Sequence, residues 1–360
     1  MAMMSATKWF SSFRAGTAIA LFLLFVARLG TAAPLAKPAP AGAPAAPAVQ
    51  KQPVLDGTFI QLVEKHGNWE PARWEKLFDE LQGIGVRRVV VQWSLLDNRA
   101  FFATGSFAAV PKPPVETILA LAAQRKMTVY LGLAADSQYW EKIKDQARRE
   151  EYLKRLRWKS ERVARELVNT AARYPSFAGW YLPEEIDDLN WREPAARTLL
   201  YRHVAQTSAY LKQLTPRGEV LISGFTRGRM DPETYREFWR ELLQESAADE
   251  LLFQDGAGTG QLPGALLPIY LAAVRGAADD AQKRLQVVVE LFTLLSEAPF
   301  KAVPAPFARV KGQLQQAAQY ASGGIEAFSV PDYLSPDAGP AAGELLREYR
   351  KYLGTLPAKP

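Results

Sequence analysis

From residue 57 onward, short apolar runs rich in β-branched residues alternate with longer stretches whose apolar positions recur every three or four residues. The first pattern predicts strands buried on both faces, and the second predicts helices with one buried face. Strand candidates fall at 57–63, 86–94, 127–134, 177–185, 219–226, 250–258, 285–292 and 324–333. Helical stretches lie between them at 71–85, 113–126, 138–173, 195–214, 231–246, 262–282 and 304–322, with a last one at 339–353. In the first of these, Pro71 stands where a helix start tolerates proline. Trp74, Leu77, Phe78 and Leu81 then repeat at helical spacing, and Gly83 and Gly85 end the run. Eight strands alternating with eight helices predict an α/β fold of the (β/α)8 TIM-barrel type. A doubly wound open sheet is the alternative. It calls for a glycine-rich phosphate turn after the first strand, and "IQLVEKHG" has none.

The first fifty residues break the pattern. Lys8 and Arg14 precede the apolar run "TAIALFLLFVA" at 17–27, and the small residues "GTAA" follow at 30–33. Residues 1–33 therefore read as a bacterial secretory signal, or as an uncleaved inner-membrane anchor. Residues 34–53, "PLAKPAPAGAPAAPAVQKQP", are an Ala/Pro-rich linker with almost nothing to bury. The barrel then occupies 54–354, in a periplasmic or secreted chain.

Charge and cysteine usage narrow the chemistry. The first fifty residues hold Lys8, Arg14, Arg28 and Lys37 and no acids, so the net charge of +6 leaves +2 for the rest. That gives no argument for nucleic acid. With no cysteine, disulfides, thiolate metal sites and a cysteine nucleophile are excluded. His66 and His203 are too few for a histidine metal site, and no cofactor is called for. His203 falls within a helix and reads as structural, whereas His66 follows the first strand and is a candidate contact.

Barrel enzymes place their chemistry at the C-terminal ends of the strands. In order, those ends carry Gln61, Gln92 and Trp93, Asp136, Glu184 and Glu185, Thr226 and Arg227, Gln254 and Asp255, Glu290, and Asp332. Aromatic residues stand nearby: Trp69, Trp140, Tyr181, Trp191, Phe292 and Tyr333. Carboxylates and amides among aromatics suit a carbohydrate. Glycosidic hydrolysis needs two carboxyls across the scissile bond, and strands four and seven lie on opposite sides of a barrel mouth. Glu290 is one candidate; its alternative is a structural ion pair, for instance with Arg227. On strand four, alternation sets Trp180, Leu182 and Glu184 against Tyr181, Pro183 and Glu185. The more apolar set suits the helix side, which turns Glu185 into the mouth, although Pro183 leaves Glu184 open. A separation of about 5–5.5 Å would indicate retention of anomeric configuration, and about 8 Å inversion. Gln61, Gln92, Trp93, Glu184, Tyr181, Trp191, Asp255, Phe292 and Tyr333 are the candidate sugar contacts. A catalytically silent glycan-binding barrel, part of an exopolysaccharide assembly or export machine, is the alternative, and the export signal and tether fit it equally well. A purely structural scaffold explains the barrel but not the row of polar strand ends.

Over about residues 55–350 the chain resembles the bacterial family described as domain of unknown function 4434. The resemblance rests on "GTFIQL", on Trp69 and Trp74 ahead of "IGVRRVVVQWS", and on "GWYLPEEIDDLNW", "LLFQDGAG" and "VVVELF". It implies a glycosidase-like barrel, grouped with glycoside hydrolases that carry an acid on strand four and a nucleophile on strand seven. Glu185 would then be the general acid/base and Glu290 the nucleophile. In that strand-four pattern a Trp precedes the acid by five positions, as Trp180 precedes Glu185. Two positions depart from it. Glu184 stands where asparagine usually precedes the acid, and Val288 stands where a polar residue is expected.

Overall fold

The computed structural model describes residues 51–297 and 299–357. The signal or anchor and most of the linker lie outside them. Eight parallel strands close a barrel: β1 (Gly57–Ile60), β2 (Arg88–Val91), β3 (Thr128–Gly132), β4 (Phe177–Asp187), β5 (Glu219–Phe225), β6 (Glu250–Gln254), β7 (Arg284–Glu290) and β8 (Ile325–Phe328). Each strand pairs with its sequence neighbours, and β8 closes on β1 through Gly57↔Glu326 and Thr58↔Ala327. The principal helices follow in register: α1 (Pro71–Gly83), α2 (Val115–Gln124), α3 (Arg149–Ala171), α4 (Pro194–Leu214), α5 (Pro232–Glu245), α6 (Leu267–Asp280), α7 (Phe307–Tyr320) and α8 (Pro340–Leu353). This is the TIM-barrel fold that the periodicity predicts.

The alternation of side chains sorts each strand into two cores. Phe59, Val90, Tyr130, Tyr181, Leu221, Leu252 and Val288, one from each of seven strands, pack together inside the barrel. Phe328 of β8 packs against them. Val288 therefore fills the barrel's own core. Neighbours such as Val89, Val91, Trp180 and Val289 face outward into the larger core beneath the helices. In α1, Trp74, Leu77, Phe78 and Leu81 are buried as their spacing requires. Asp231 caps α5 by accepting the backbone N–H groups of Glu233 and Thr234, two donors that a helix start leaves without partners.

Three differences from the expected elements bear on the site. The stretch 138–173 splits into a short helix, Tyr139–Lys142, and α3; Trp140 and Glu141 of the short helix and Lys144 after it border the barrel mouth. The strand candidate at 250–258 stops at Gln254, where Gly256 (φ +64°) turns the chain. After β7 an antiparallel hairpin, Phe292–Glu297 with Phe300–Pro304, stands ahead of α7.

Candidate active site

The C-terminal mouth of the barrel opens on a cavity of about 540 Å³. Glu185 from β4 and Glu290 from β7 both line it. Gln61, Gln92 and Gln254 add amides, while Trp140 and Phe225 stand among its lining with Phe292, Phe300 and Phe328. Burial is nearly complete for both carboxyls, Glu185 being 8% and Glu290 4% exposed.

The acidic stretch of β4 separates into four roles. Glu184 turns outward and pairs with His203 Nε2 of α4 at 3.1 Å. Glu185 turns inward, where its Oε1 accepts Gln254 Nε2 at 2.9 Å. Asp187 accepts Asn190 and the Arg227 guanidinium, the latter at 3.0 Å. Asp188 accepts the Thr226 hydroxyl and the backbone N–H groups of Arg227, Arg229 and Met230, fixing the loop after β5. The inward direction of Glu185 survives an irregularity in the strand. Tyr181 pairs with Leu221 and Glu185 with Ser223, so β4 takes four steps where β5 takes two. The excess is two residues, which preserves the alternation, and Pro183 falls inside it, where the missing N–H costs no ladder bond.

Glu290 is held by neutral donors. Its Oε2 accepts the backbone N–H groups of Gly258 at 2.6 Å and Thr259 at 3.1 Å. This approach requires glycine at 258, because a Cβ there would lie 2.8 Å from Glu290 Oε2 and 2.6 Å from the Phe292 carbonyl oxygen. Arg227, the structural partner that the sequence allows for Glu290, binds Asp187 instead.

Burial raises the proton affinity of both carboxyls. Glu185 is pushed up to about 7, mainly by loss of water, against the pull of Gln254 and Arg227. Glu290 is raised by burial and then by the neighbouring Asp255, while the Gly258 and Thr259 N–H groups favour its anion. Two carboxyls of raised proton affinity, one against a side-chain amide and one against backbone donors, face the same cavity and are the groups that acid catalysis and nucleophilic attack require.

Of the eleven catalytic and sugar-contact candidates, Gln61, Gln92, Glu185, Glu290 and Phe292 line the cavity, as do Trp140, Thr226, Arg227 and Gln254 from the other residues read at the strand ends. The other six candidates do not. Trp93 follows inward-facing Gln92 and so points outward, donating its Nε1 to the Leu62 carbonyl. Glu184 faces α4, as described. Tyr181 lies on the inward face but below the cavity, in the barrel core, with its hydroxyl on Ser223. Trp191 is fully buried beneath the Arg149 guanidinium. Asp255 alternates with Gln254 and is turned toward α7, where Gln313 Nε2 donates to it at 2.6 Å. Tyr333 packs behind Phe292, ring centroids 5.2 Å apart. His66 is likewise buried and held neutral, pushed down to about 3 by burial, with its Nδ1 accepting the Val63 N–H.

The sequence reading missed Phe225 and Phe328 and the whole hairpin contribution, Leu294, Glu297 and Phe300. Two signals were present. Both phenylalanines end strand candidates, and "FTLLSEAPFKAVP" carries two short apolar runs about a proline. Among the described residues no group of His, Asp and Glu is placed to hold a metal ion, and no helix is long and apolar enough to cross a membrane.

Known structures share this architecture. A Bacteroides thetaiotaomicron protein with a provisional alpha-L-fucosidase assignment superposes with a TM-score of 0.68 at 20% identity, covering 84% of this chain and 94% of that one. The endo-beta-1,4-mannanase of Thermotoga petrophila gives 0.56 at 13% identity, over 86% and 79%. These likenesses establish a glycosidase-like fold. In sequence, the uncharacterized protein YbcH of Escherichia coli (strain K12) is 30% identical over 265 residues, 72% of this chain and 84% of that protein. The family model described as "Domain of unknown function (DUF4434)" matches residues 55–339, and the chain belongs to that family.

Proposed function

We propose that the protein is a glycoside hydrolase acting on a poly- or oligosaccharide by a retaining, two-carboxylate mechanism. One observation carries this reading: Glu185 and Glu290, from strands on opposite sides of the barrel, line the same aromatic-walled cavity. Glu185 is the general acid, its proton held near neutrality by burial. Glu290, aimed by Gly258 and Thr259, is the nucleophile. The Glu290 carboxylate attacks the anomeric carbon while the leaving oxygen takes the proton of Glu185. Water then attacks the same carbon, gives its proton to Glu185, and the Glu290–carbon bond breaks with its electron pair returning to the carboxylate. Gln61, Gln92 and the aromatic walls hold the sugar, and no cofactor enters. The same proposal places the enzyme outside the cytoplasm, delivered or tethered by residues 1–53.

The test is a glycan panel combined with 2-fluoroglycoside trapping. Glu185→Gln and Glu290→Gln should fold and lose turnover, and the trapped sugar should map to Glu290. Glycan binding without turnover in the unmodified chain would replace this reading with a silent binding barrel. An inverted first product would reassign Glu290 from nucleophile to general base.

A further inference from the structure

A second buried carboxyl lies directly behind Glu290 and takes no part in the chemistry above. Asp255 is 4% exposed. Its Oδ1 accepts the backbone N–H of Ala257 at 3.1 Å and of Glu290 itself at 3.3 Å. Its Oδ2 accepts Gln313 Nε2 at 2.6 Å, and the same nitrogen reaches the Glu290 carbonyl at 3.2 Å. All these donors are neutral. The charged or titratable groups facing the pair are Glu185 from β4, Arg309 from α7, and Tyr333 after β8. Arg309 donates to the Phe292 carbonyl rather than to either carboxylate. Two acids on adjacent strand ends, joined through one peptide N–H and out of water, resist ionising together.

We propose that Asp255 is a positioning residue for Glu290, a fixed negative charge that aligns its peptide and drives it toward states in which it is uncharged. Resting on the glycosidase reading, this has a directional consequence. When Glu290 becomes an ester on the anomeric carbon its charge disappears, and the repulsion from Asp255 goes with it. Asp255 therefore favours forming the covalent intermediate and opposes its breakdown, which restores the second anion. Burial raises the proton affinity of both acids, and the Asp255 charge adds to that rise at Glu290, so the empty site favours a proton there that must leave before Glu290 attacks.

The experiment is a pH titration of the full chain labelled at glutamate carboxyl carbons and followed by NMR, with the Glu290 signal assigned through Glu290→Gln. In Asp255→Asn the Glu290 midpoint should fall by about one unit or more, because a neutral amide replaces the charge. This variant should fold, since Gln313 Oε1, buried and without a partner, can turn to accept the new amide. Gln313→Met provides a second route. It strips a donor from Asp255, moves the pair's proton onto that residue, and should lower the Glu290 midpoint by less. A Glu290 midpoint that stays put or rises in both variants overturns the proposal. The titration uses no substrate, so it stands or falls separately from the glycosidase reading. Where turnover is found, the acid limb of kcat/KM should fall with the midpoint, and less intermediate should be trapped in Asp255→Asn. A fixed limb beside a moved midpoint overturns the catalytic half.

Discussion

Replacing Glu185 by glutamine should make the protein more stable, and only above its acid range. Burial raises this carboxyl from 4.5 to about 7. The folded chain therefore binds a proton more tightly than the unfolded chain, and stability falls as pH rises from 4.5 to 7, then levels off. A shift of that size corresponds to about 3 kcal/mol lost above pH 7, at about 1.4 kcal/mol per unit. Glutamine has the same shape and keeps an oxygen for the Gln254 amide, but it carries no charge to desolvate. With an unfolding entropy of about 2.1 cal/mol/K per residue over a barrel of roughly 300 residues, 3 kcal/mol moves the Tm by about 5 °C. Thermal melts of both forms should coincide at pH 4 and separate at pH 8, with Glu185→Gln the higher. A variant melting at or below the unmodified chain at pH 8 would refute the reasoning, because Glu185 would then not be a buried anion there.

Other outcomes follow from the same geometry. Gly258→Ala should lower turnover about 100-fold by displacing the Glu290 carboxylate, and should cost about 1–3 kcal/mol in a thermal melt. Asp188→Ala leaves several backbone donors of the β5 loop without their acceptor; at about 1–3 kcal/mol for each one buried, denaturant curves should show a loss of at least about 3 kcal/mol. Trp140→Ala removes an aromatic wall of the cavity and should weaken glycan binding by about 1–2 kcal/mol in calorimetry, without changing the anomer formed. Fractionation of cells producing the full chain should recover it outside the cytoplasm; recovery from the cytosol would remove the export part of the proposal.

The barrel was legible because its pattern is long-range and redundant, eight times over. The inward set on β4 was legible for a similar reason, since Trp180 and Leu182 declare the outer face. The reading failed where alternation was not applied. Gln92 with Trp93, and Gln254 with Asp255, are adjacent pairs, and in each only one member can face the cavity. Depth is a separate difficulty. Tyr181 and Glu185 share a face, yet one lies in the barrel core and the other in the mouth, and no local pattern measures height along a strand. The hairpin after β7 went unread because its strands are short and half-buried. Partners such as Asp255 with Gln313, 58 positions apart, exist only once β6, β7 and α7 pack together.

The two-residue excess in β4 makes length at this point count in twos. Inserting or deleting a single residue between Tyr181 and Glu185 would exchange the faces of the two glutamates. An insertion would carry Glu184 into the mouth position, and a deletion would carry Glu185 to the position that faces His203. Composition and net charge would barely change, and neighbouring strands would keep their pairing. A relative longer here by one residue would therefore carry its carboxyl at the other glutamate, while one differing by two would keep the same glutamate on the inward face. Alignments through this segment can be judged by parity before residue identity.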